Sequence, residues 1–268
     1  MPHDFGSLDR FRYRTVELHF EFLRQFGSPV PGGAKVLDFG CGIGDTVAVL
    51  LHLGYDAYGI DVTEFWGRDI GRWWLKQDPP PPEIRKRLFC VGTDPYRLPF
   101  ADATFDFCFS DEVFEHVANP ATCFAEIARV LKPGALSLHR FPGPNSLVEG
   151  HIMFPLAGLC HWTPWIALCA QLGFRPLHGK GWSARETMGH CKTWMAEVFY
   201  PSKRRLRRYA RDANVKIEFL ERRDFVMRDI GGFARMRHVA EGIGAGPIAR
   251  LILPLFAQRY MLLRRSAA

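Results

Sequence analysis

The sequence predicts an α/β domain built around a mostly parallel β-sheet. Between about residues 33 and 141, apolar runs typical of buried strands alternate with segments of helical periodicity. At the first junction, residues 36–45 read Val-Leu-Asp-Phe-Gly-Cys-Gly-Ile-Gly-Asp. An apolar strand ends there in an acid, and a glycine-rich turn leads into a helix. Because ligands of α/β proteins bind at the carboxyl ends of parallel strands, the sequence also predicts a ligand site at that edge.

An amphipathic helix is predicted before the first strand, over residues 10–27. Val16, Phe20 and Leu23 recur at the spacing that places apolar side chains on one face of a helix. The helix and its flanks form an N-terminal segment, residues 1–30.

The glycine turn restricts the kind of ligand. A dinucleotide fingerprint has the spacing Gly-x-Gly-x-x-Gly, whereas here Gly40, Gly42 and Gly44 alternate, so the third glycine comes one residue early. Asp38 and Asp45 flank the turn, and their charges would repel a pyrophosphate. A ligand with a cationic group fits better than NAD, and an NAD-dependent enzyme is disfavoured.

The pattern Asp-x-Gly-x-Gly-x-Gly after an apolar strand resembles the cofactor loop of class I methyltransferases, which use S-adenosylmethionine (SAM). SAM carries a sulfonium, an ammonium and a carboxylate. The resemblance implies that the loop binds SAM through Asp38, Gly40, Cys41, Gly42 and Gly44. The small side chain of Cys41 suits packing within the loop better than catalysis. The alternative is a glycine-rich turn that binds nothing.

Two further acids follow predicted strands. Asp61 comes after the strand Tyr55–Ile60, 23 residues beyond Asp38. In the family, such an acid accepts hydrogen bonds from the ribose hydroxyls of SAM, and the next residue, Val62, joins the cofactor site. A helix N-cap is the competing interpretation of Asp61.

A third predicted strand, Arg87–Gly92, leads to Asp94 and Pro95. The resemblance implies that Asp94 binds the adenine amino group. The following residue normally contacts the ring through its N–H, which Pro95 lacks, so the chain departs from the family there.

The next segment strengthens the resemblance. A fourth strand, Phe107–Ser110, brings Ser110 to the predicted site, and a helix over Ala121–Leu131 ends at Lys132-Pro133-Gly134 before a strand at Ala135–Arg140. This stretch is similar to methyltransferases of the quinone-biosynthesis type. The similarity covers about residues 33–141 and implies a Rossmann-like, mostly parallel seven-stranded sheet with helices on both faces and one antiparallel edge strand. It also implies that the helix over residues 10–27 covers the cofactor, and the alternative is that this helix covers only the core of the sheet.

Composition divides the remaining chain. Residues 142–200 are rich in Gly, Pro, Trp and His and are predicted to be an inserted cap that holds the acceptor. The predicted parts are therefore 1–30 (N-terminal helix), 31–141 (SAM-binding half), 142–200 (cap), 201–240 (end of the domain, with a helix from Ser202 to Asp212 and a strand Val215–Leu220) and 241–268 (an apolar, basic C-terminal extension).

Positive charge is concentrated after the cap. Residues 201–237 hold 12 Lys and Arg against 5 acids, a difference of +7 that equals the net charge of the chain. Beside the apolar extension, this suits an anionic membrane surface or a lipid-linked acceptor. A soluble anionic acceptor and a solvated surface are the alternatives, and nucleic acid is disfavoured because no RNA-binding motif is present. The extension could equally pack on the domain or form a dimer contact, so no oligomeric state is predicted.

Methyl transfer to oxygen or nitrogen often needs a base near neutral pH, for which histidine is suited. His151, with Glu149 as its orienting acid, is the first candidate, and His116 after the fourth strand is the second. His139 lies within a strand and is predicted to be a core residue. No metal is predicted, since the spacing of Glu149, His151 and His161 matches no metal motif.

These observations predict a SAM-dependent methyltransferase that acts on an oxygen, in preference to nitrogen or carbon, of a small-molecule, glycan or lipid-linked acceptor. A SAM-binding protein without transferase activity is the alternative. Seven scattered cysteines suggest reduced thiols, and the first residues do not resemble a signal peptide. We therefore expect a cytoplasmic protein, peripheral to the membrane if the basic surface binds lipid.

Overall fold

The computed structural model describes residues 10–25, 27–66, 82–143, 148–149, 154–155, 162–176, 179–221, 238–252 and 258–267. The helices are α1 (Arg10–Gln25), α2 (Asp45–His52), α3 (Pro82–Arg85), α4 (Pro120–Val130), α5 (Thr163–Gln171), α6 (Ala184–Ala196), α7 (Lys203–Asp212) and α8 (Gly246–Ile252), with a 3₁₀ turn at Phe114–His116. The strands are β1 (Lys35–Phe39), β2 (Asp56–Asp61), β3 (Leu88–Cys90), β4 (Phe105–Asp111), β5 (Leu131–Phe141), β6 (Val148–Glu149), β7 (Phe154–Pro155), β8 (Val215–Phe219) and β9 (Arg259–Arg265).

Seven strands form one sheet in the order β3-β2-β1-β4-β5-β9-β8. Strands β1 to β5 are parallel, and β9 is antiparallel to both of its neighbours, β5 and β8. The predicted mostly parallel seven-stranded sheet is confirmed. Its antiparallel strand, however, lies one position in from the edge, and the edge strand β8 points the same way as β5.

The predicted C-terminal extension is the segment that supplies this antiparallel strand. In β9, Tyr260, Met261 and Leu263 are at most 1 % exposed. The division that places 241–268 outside the domain is therefore wrong for residues 259–265. A strand buried on both faces has a continuous apolar sequence without alternation, which is why it resembles a tail when taken alone.

Helices cover both faces of the sheet, as predicted. On one face, α1 packs beside α2 and buries Val16 and Leu23 in the same core cluster as Val36 of β1. On the other face, α4 and α7 pack together and bury Phe124 and Leu206. The structure thus gives α1 a role in covering the sheet.

The cap has a small core of its own. Helices α5 and α6 contact each other and enclose Phe154, Ile166, Cys169 and Cys191. A capping box starts α6, since Ser183 accepts from the backbone of Glu186 and the Glu186 carboxylate accepts from the backbone of Ser183. The described residues of the predicted cap therefore include two packed helices and the short strand pair β6-β7, between β5 and α7.

In the part of the chain that the structure describes, no helix combines the length and the apolar character needed to cross a membrane.

Candidate functional site

The glycine loop follows β1 and is tied to the end of β2. The backbone N–H groups of Gly40 and Cys41 both donate to the carbonyl of Ile60, at 2.8 and 2.9 Å. Gly40 has a φ of +83°, and a Cβ atom there would lie 2.3 Å from Cγ2 of Val113. The loop and the segment after β4 are therefore packed so closely that only glycine fits.

Gly42 differs from Gly40 in what surrounds it. Its φ is +53°, but a Cβ atom there would meet no protein atom within 4 Å. The loop is consequently open on this side, where a ligand can approach the backbone. Gly44, with a φ of +89°, precedes the first residue of α2, which is Asp45.

Asp61 is joined directly to the glycine loop. Its Oδ2 accepts from the N–H of Gly42 at 2.9 Å, and its Oδ1 accepts from the N–H of Thr63 at 3.2 Å. Burial raises the pKa of Asp61, and the N–H groups that it accepts from oppose the shift. No helix begins in residues 62–66, so the N-cap interpretation is not supported. The sequence predicts the place of this acid but not its bond to Gly42.

Asp38 and Cys41 lie inside the same loop region, at 3 % and 7 % exposure. Burial raises the pKa of the Cys41 thiol well above its ordinary value, and the charges of Asp38 and Asp61 raise it further. The thiol therefore stays protonated, which agrees with a packing role for Cys41.

The other predicted cofactor residues of this edge follow β2 and β3. Val62, directly after β2, is 50 % exposed. Asp94 and Pro95 are exposed and follow β3. Since β1, β2 and β3 are parallel neighbours, all three groups lie at one edge of the sheet.

Ser110 is placed differently from the prediction. Its hydroxyl lies 2.8 Å from Nδ1 of His139, its neighbour across β4 and β5, and Nε2 of His139 lies 2.5 Å from the hydroxyl of Ser137. Ser110 is 1 % exposed and His139 is fully buried. The predicted core position of His139 is confirmed, and the Ser110 hydroxyl lies inside the core rather than on the open side of the site.

A polar network that sequence reasoning missed joins the ends of β4, β5 and β9. Arg140 donates to both carboxylate oxygens of Asp111, and also to the side-chain oxygen of Gln258 at 2.6 Å. The amide of Gln258 donates in turn to Glu112 at 2.5 Å. Burial lowers the pKa of Arg140, but the nearby charge of Asp111 outweighs it, so the pKa is raised. Glu112 has a φ of +57°, a conformation that side chains rarely adopt and that is common at functional sites.

The predicted catalytic residues are only partly described. His116 lies in the 3₁₀ turn, where its Nδ1 is 3.3 Å from the carbonyl of Glu197 and its ring lies 4.9 Å from that of Trp194. Its Nε2 is 3.8 Å from the carboxylate of Glu115. Thus His116 joins the segment after β4 to the end of α6. Glu149 lies in β6, whereas its side chain and all of His151 are outside the described residues.

The loop fits SAM. Asp61 bonds the open backbone of Gly42, and the charges of both Asp38 and Asp61 act on the neighbouring Cys41. Negative groups are what a sulfonium and an ammonium require. In the described part of the chain, no three His, Cys, Asp or Glu side chains are grouped as a metal site would need.

Comparison with known proteins agrees with this geometry. A family model described as a methyltransferase domain matches residues 37–138. The chain is 32 % identical over 196 residues to a ubiquinone biosynthesis O-methyltransferase of Roseobacter denitrificans, covering 64 % of this chain and 73 % of that protein. It is 30 % identical over 179 residues to an O-methyltransferase of Aspergillus nomiae, covering 62 % and 77 %. A cycloartenol-C-24-methyltransferase of Oryza sativa subsp. japonica is 32 % identical over 125 residues, 45 % of this chain but 33 % of that protein.

Among solved structures, a SAM-dependent methyltransferase from Mesorhizobium loti aligns with a TM-score of 0.49 and 16 % identity, covering 88 % of this chain and 93 % of that one.

Proposed function

Because this chain belongs to the class I SAM-dependent methyltransferases, we propose that it transfers the methyl group of SAM to an oxygen atom of a small, largely apolar acceptor. The observation that carries the proposal is the extent of the matches. The two O-methyltransferases are covered over 73 % and 77 % of their own lengths, whereas a cycloartenol and a 24-methylenesterol C-methyltransferase of Oryza sativa are covered over 33 % and 49 % of theirs. The chain therefore corresponds to most of each O-methyltransferase but to less than half of each of these C-methyltransferases.

The described residues of the glycine loop and of the end of β2 are the ones proposed to bind SAM. Asp61, which accepts from the Gly42 N–H, would hold the ribose of SAM, and Asp38 is buried near the end of β1. Bound SAM supplies a methyl group on a positively charged sulfur. The protein aligns the acceptor oxygen with that methyl group, and such alignment can account for a large part of the barrier reduction. The C–S electron pair returns to sulfur as the new O–C bond forms, and the hydroxyl proton leaves to a base.

Two histidines remain proposals for that base. His151, oriented by Glu149, is the first. His116 is the second. Its Nδ1 faces the carbonyl of Glu197, so a neutral ring would carry its proton on Nδ1, and Nε2 would be the atom that accepts one. A proton taken up by Nε2 would face the carboxylate of Glu115, 3.8 Å away.

The acceptor atom can be read directly with carbon-13-methyl SAM. The protein is incubated with labelled SAM and, separately, with a prenylated catechol, a plain catechol and a sterol. NMR distinguishes an O-methyl from a C-methyl carbon by chemical shift. We expect an O-methyl signal, stronger with the prenylated catechol than with the plain one. A C-methyl product, or transfer to the sterol alone, would contradict the proposal.

The same assay identifies the base. His116→Gln and His151→Gln are compared with the unchanged protein over a pH series. The variant that lacks the base should lose kcat and the acidic limb of its pH profile while keeping its affinity for SAM. If both variants keep that limb, neither histidine is the base.

A further inference from the structure

Most of the exposed large apolar side chains in the described part of the chain belong to two segments. Among the described residues, nine of the ten such side chains lie between residues 162 and 199 or between 238 and 252. They are Trp162 (68 %), Leu168 (44 %), Leu172 (67 %), Phe174 (40 %), Phe199 (45 %), Val239 (64 %), Ile243 (76 %), Ile248 (62 %) and Leu251 (58 %). The tenth, Val62, follows β2 at the cofactor edge.

Sheet topology explains why both segments emerge at the same edge. The first follows the end of β5, and the second connects the end of β8 to the start of β9. Strand β9 is antiparallel to both, so β5 and β8 end on the same side as β1, β2 and β4. The ring contact of Trp194 with His116 and the bond from Phe199 N–H to the Glu115 carbonyl tie the first segment to this edge.

Helix α7 begins at the same edge and carries positive charge along its length. Six of its ten residues are basic: Lys203, Arg204, Arg205, Arg207, Arg208 and Arg211. All but Lys203 are exposed. Lys203 and Arg207 lie over the ring of Phe219, the last residue of β8, at 4.9 and 5.2 Å. The basic helix therefore begins beside the end of β8, from which the second apolar segment continues.

We infer that residues 162–199, 238–252 and α7 together form a docking face for an anionic lipid bilayer. Exposed aliphatic and aromatic side chains enter the boundary between headgroups and acyl chains, and nearby arginines bind anionic headgroups. A free anionic metabolite would use the arginines but would leave the nine apolar side chains in water. The docking face lies at the same carboxyl edge as the cofactor loop, so an apolar acceptor could pass from the bilayer to the site.

Binding to the bilayer does not depend on the proposed function. Only the path of the acceptor from the bilayer to the site rests on that proposed function. The experiment therefore uses neither SAM nor acceptor. Purified protein is sedimented with vesicles of phosphatidylcholine alone and with vesicles that contain an equal part of phosphatidylglycerol. We expect binding to the mixed vesicles, weaker binding to the neutral ones, and release at high salt because the charges are exposed.

Two pairs of substitutions test the two components of the docking face. Arg204→Glu with Arg208→Glu should lower partitioning onto anionic vesicles by more than about tenfold, since each basic residue near the surface contributes several-fold. Ile248→Ser with Leu251→Ser should lower binding to both kinds of vesicle. These side chains are exposed, so folding is expected to persist, and thermal unfolding checks this.

Lys86→Glu with Lys216→Glu is the matched control. These exposed lysines lie at the other edge of the sheet, before β3 and at the start of β8, and the pair changes the net charge by the same amount. Equal loss in the control and in the α7 pair would overturn the docking face, because net charge alone would then explain binding. Failure of the unchanged protein to bind anionic vesicles would overturn it too. If the Ile248 and Leu251 pair instead dissociates a dimer, with vesicle binding intact, a second copy covers the apolar segment and the inference is wrong.

Discussion

Arg140 and Asp111 form a bidentate ion pair across the ends of the neighbouring strands β5 and β4. Both Nε and Nη2 of Arg140 donate to the carboxylate, and the side chains are only 15 % and 10 % exposed. Arg140 also reaches Gln258, which bonds Glu112, so the guanidinium connects β4 and β5 with the residue before β9. The pair therefore holds the end of β4 in place. The segment that follows β4 contains Val113, which packs on the glycine loop at Gly40.

Replacing Arg140 by methionine should destabilise the protein strongly. The substitution leaves the carboxylate of Asp111 buried without its cation, and breaking a buried pair in this way costs about 3–5 kcal/mol. Chemical denaturation measures the free energy of unfolding. Arg24→Met removes the exposed pair with Glu21 and should change it little, since exposed pairs contribute little. A change at Arg140 no larger than at Arg24 would contradict the role given to the buried pair.

Asp61→Asn should weaken SAM binding. The neutral amide loses the charge-assisted bond to the Gly42 N–H and would lose the bonds proposed to the ribose. A loss of about 1.5–3 kcal/mol corresponds to about 10- to 150-fold in Kd. Calorimetric titration with SAM measures the change. The control is Asp56→Asn at the other end of β2, where Asp56 pairs with Lys35 and Arg87. Unchanged affinity in the Asp61 variant would exclude the ribose role.

Alanine substitutions should distinguish the role of Gly40 in packing from the role of Gly42 in ligand binding. At Gly40, the new Cβ would lie 2.3 Å from Val113, so the segment after β4 must move, and stability should fall. A Cβ added at Gly42 would meet no protein atom within 4 Å, so the cost of alanine there is the backbone strain of a positive φ, about 1–2 kcal/mol. The Gly42 variant should therefore unfold closer to the unchanged protein but bind SAM more weakly. Thermal unfolding and calorimetry together test this, and a more stable Gly40 variant would refute it.

His139 should make stability depend on pH. Burial lowers its pKa from 6.5 to about 3, so the folded protein keeps it neutral while the unfolded chain protonates below 6.5. The unfolded state binds the extra proton, and stability is lost as the pH falls from about 6.5 to about 3, by up to about 4–5 kcal/mol. His139→Gln keeps groups that can bond Ser110 and Ser137 and should flatten this slope, as measured by denaturation at several pH values. Substituting the exposed His52 is the control, and an equal effect there would contradict the prediction.

Local patterns predicted the first half of the chain well. The strand before Gly40, the acid at Asp61 and the helix before Lys132 are each encoded within a dozen residues by apolar runs, glycines and breakers. Ser202 likewise caps α7 through the N–H of Arg205, as the predicted helix start requires. Family membership supports SAM as the cofactor, and the individual contacts at these residues stay predictions.

Long-range pairing is what the sequence did not reveal. Arg140 and Gln258 are 118 residues apart, and each could be a surface residue when taken alone. Parallel register offered one signal, since Asp111 and Arg140 end adjacent strands at the same level. The β9 strand was missed for a related reason: its apolar run gains meaning only beside β5. His116 likewise has partners, Trp194 and Glu197, that its local sequence does not indicate.

The position of β9 between β5 and β8 has a consequence for synthesis of the protein. Strands β2 to β5 each pair with the strand that precedes them in the chain, apart from β4, which pairs with β1. In the described sheet, β8 pairs with β9 alone, and 39 residues separate Phe219 from Arg259. A nascent chain can therefore assemble its SAM-binding strands early, whereas β8 stays without its partner strand until β9 has been synthesised. Ribosome stalling just before residue 259 should leave a chain whose cofactor half is formed and whose Val215–Phe219 segment is open to proteases and chaperones.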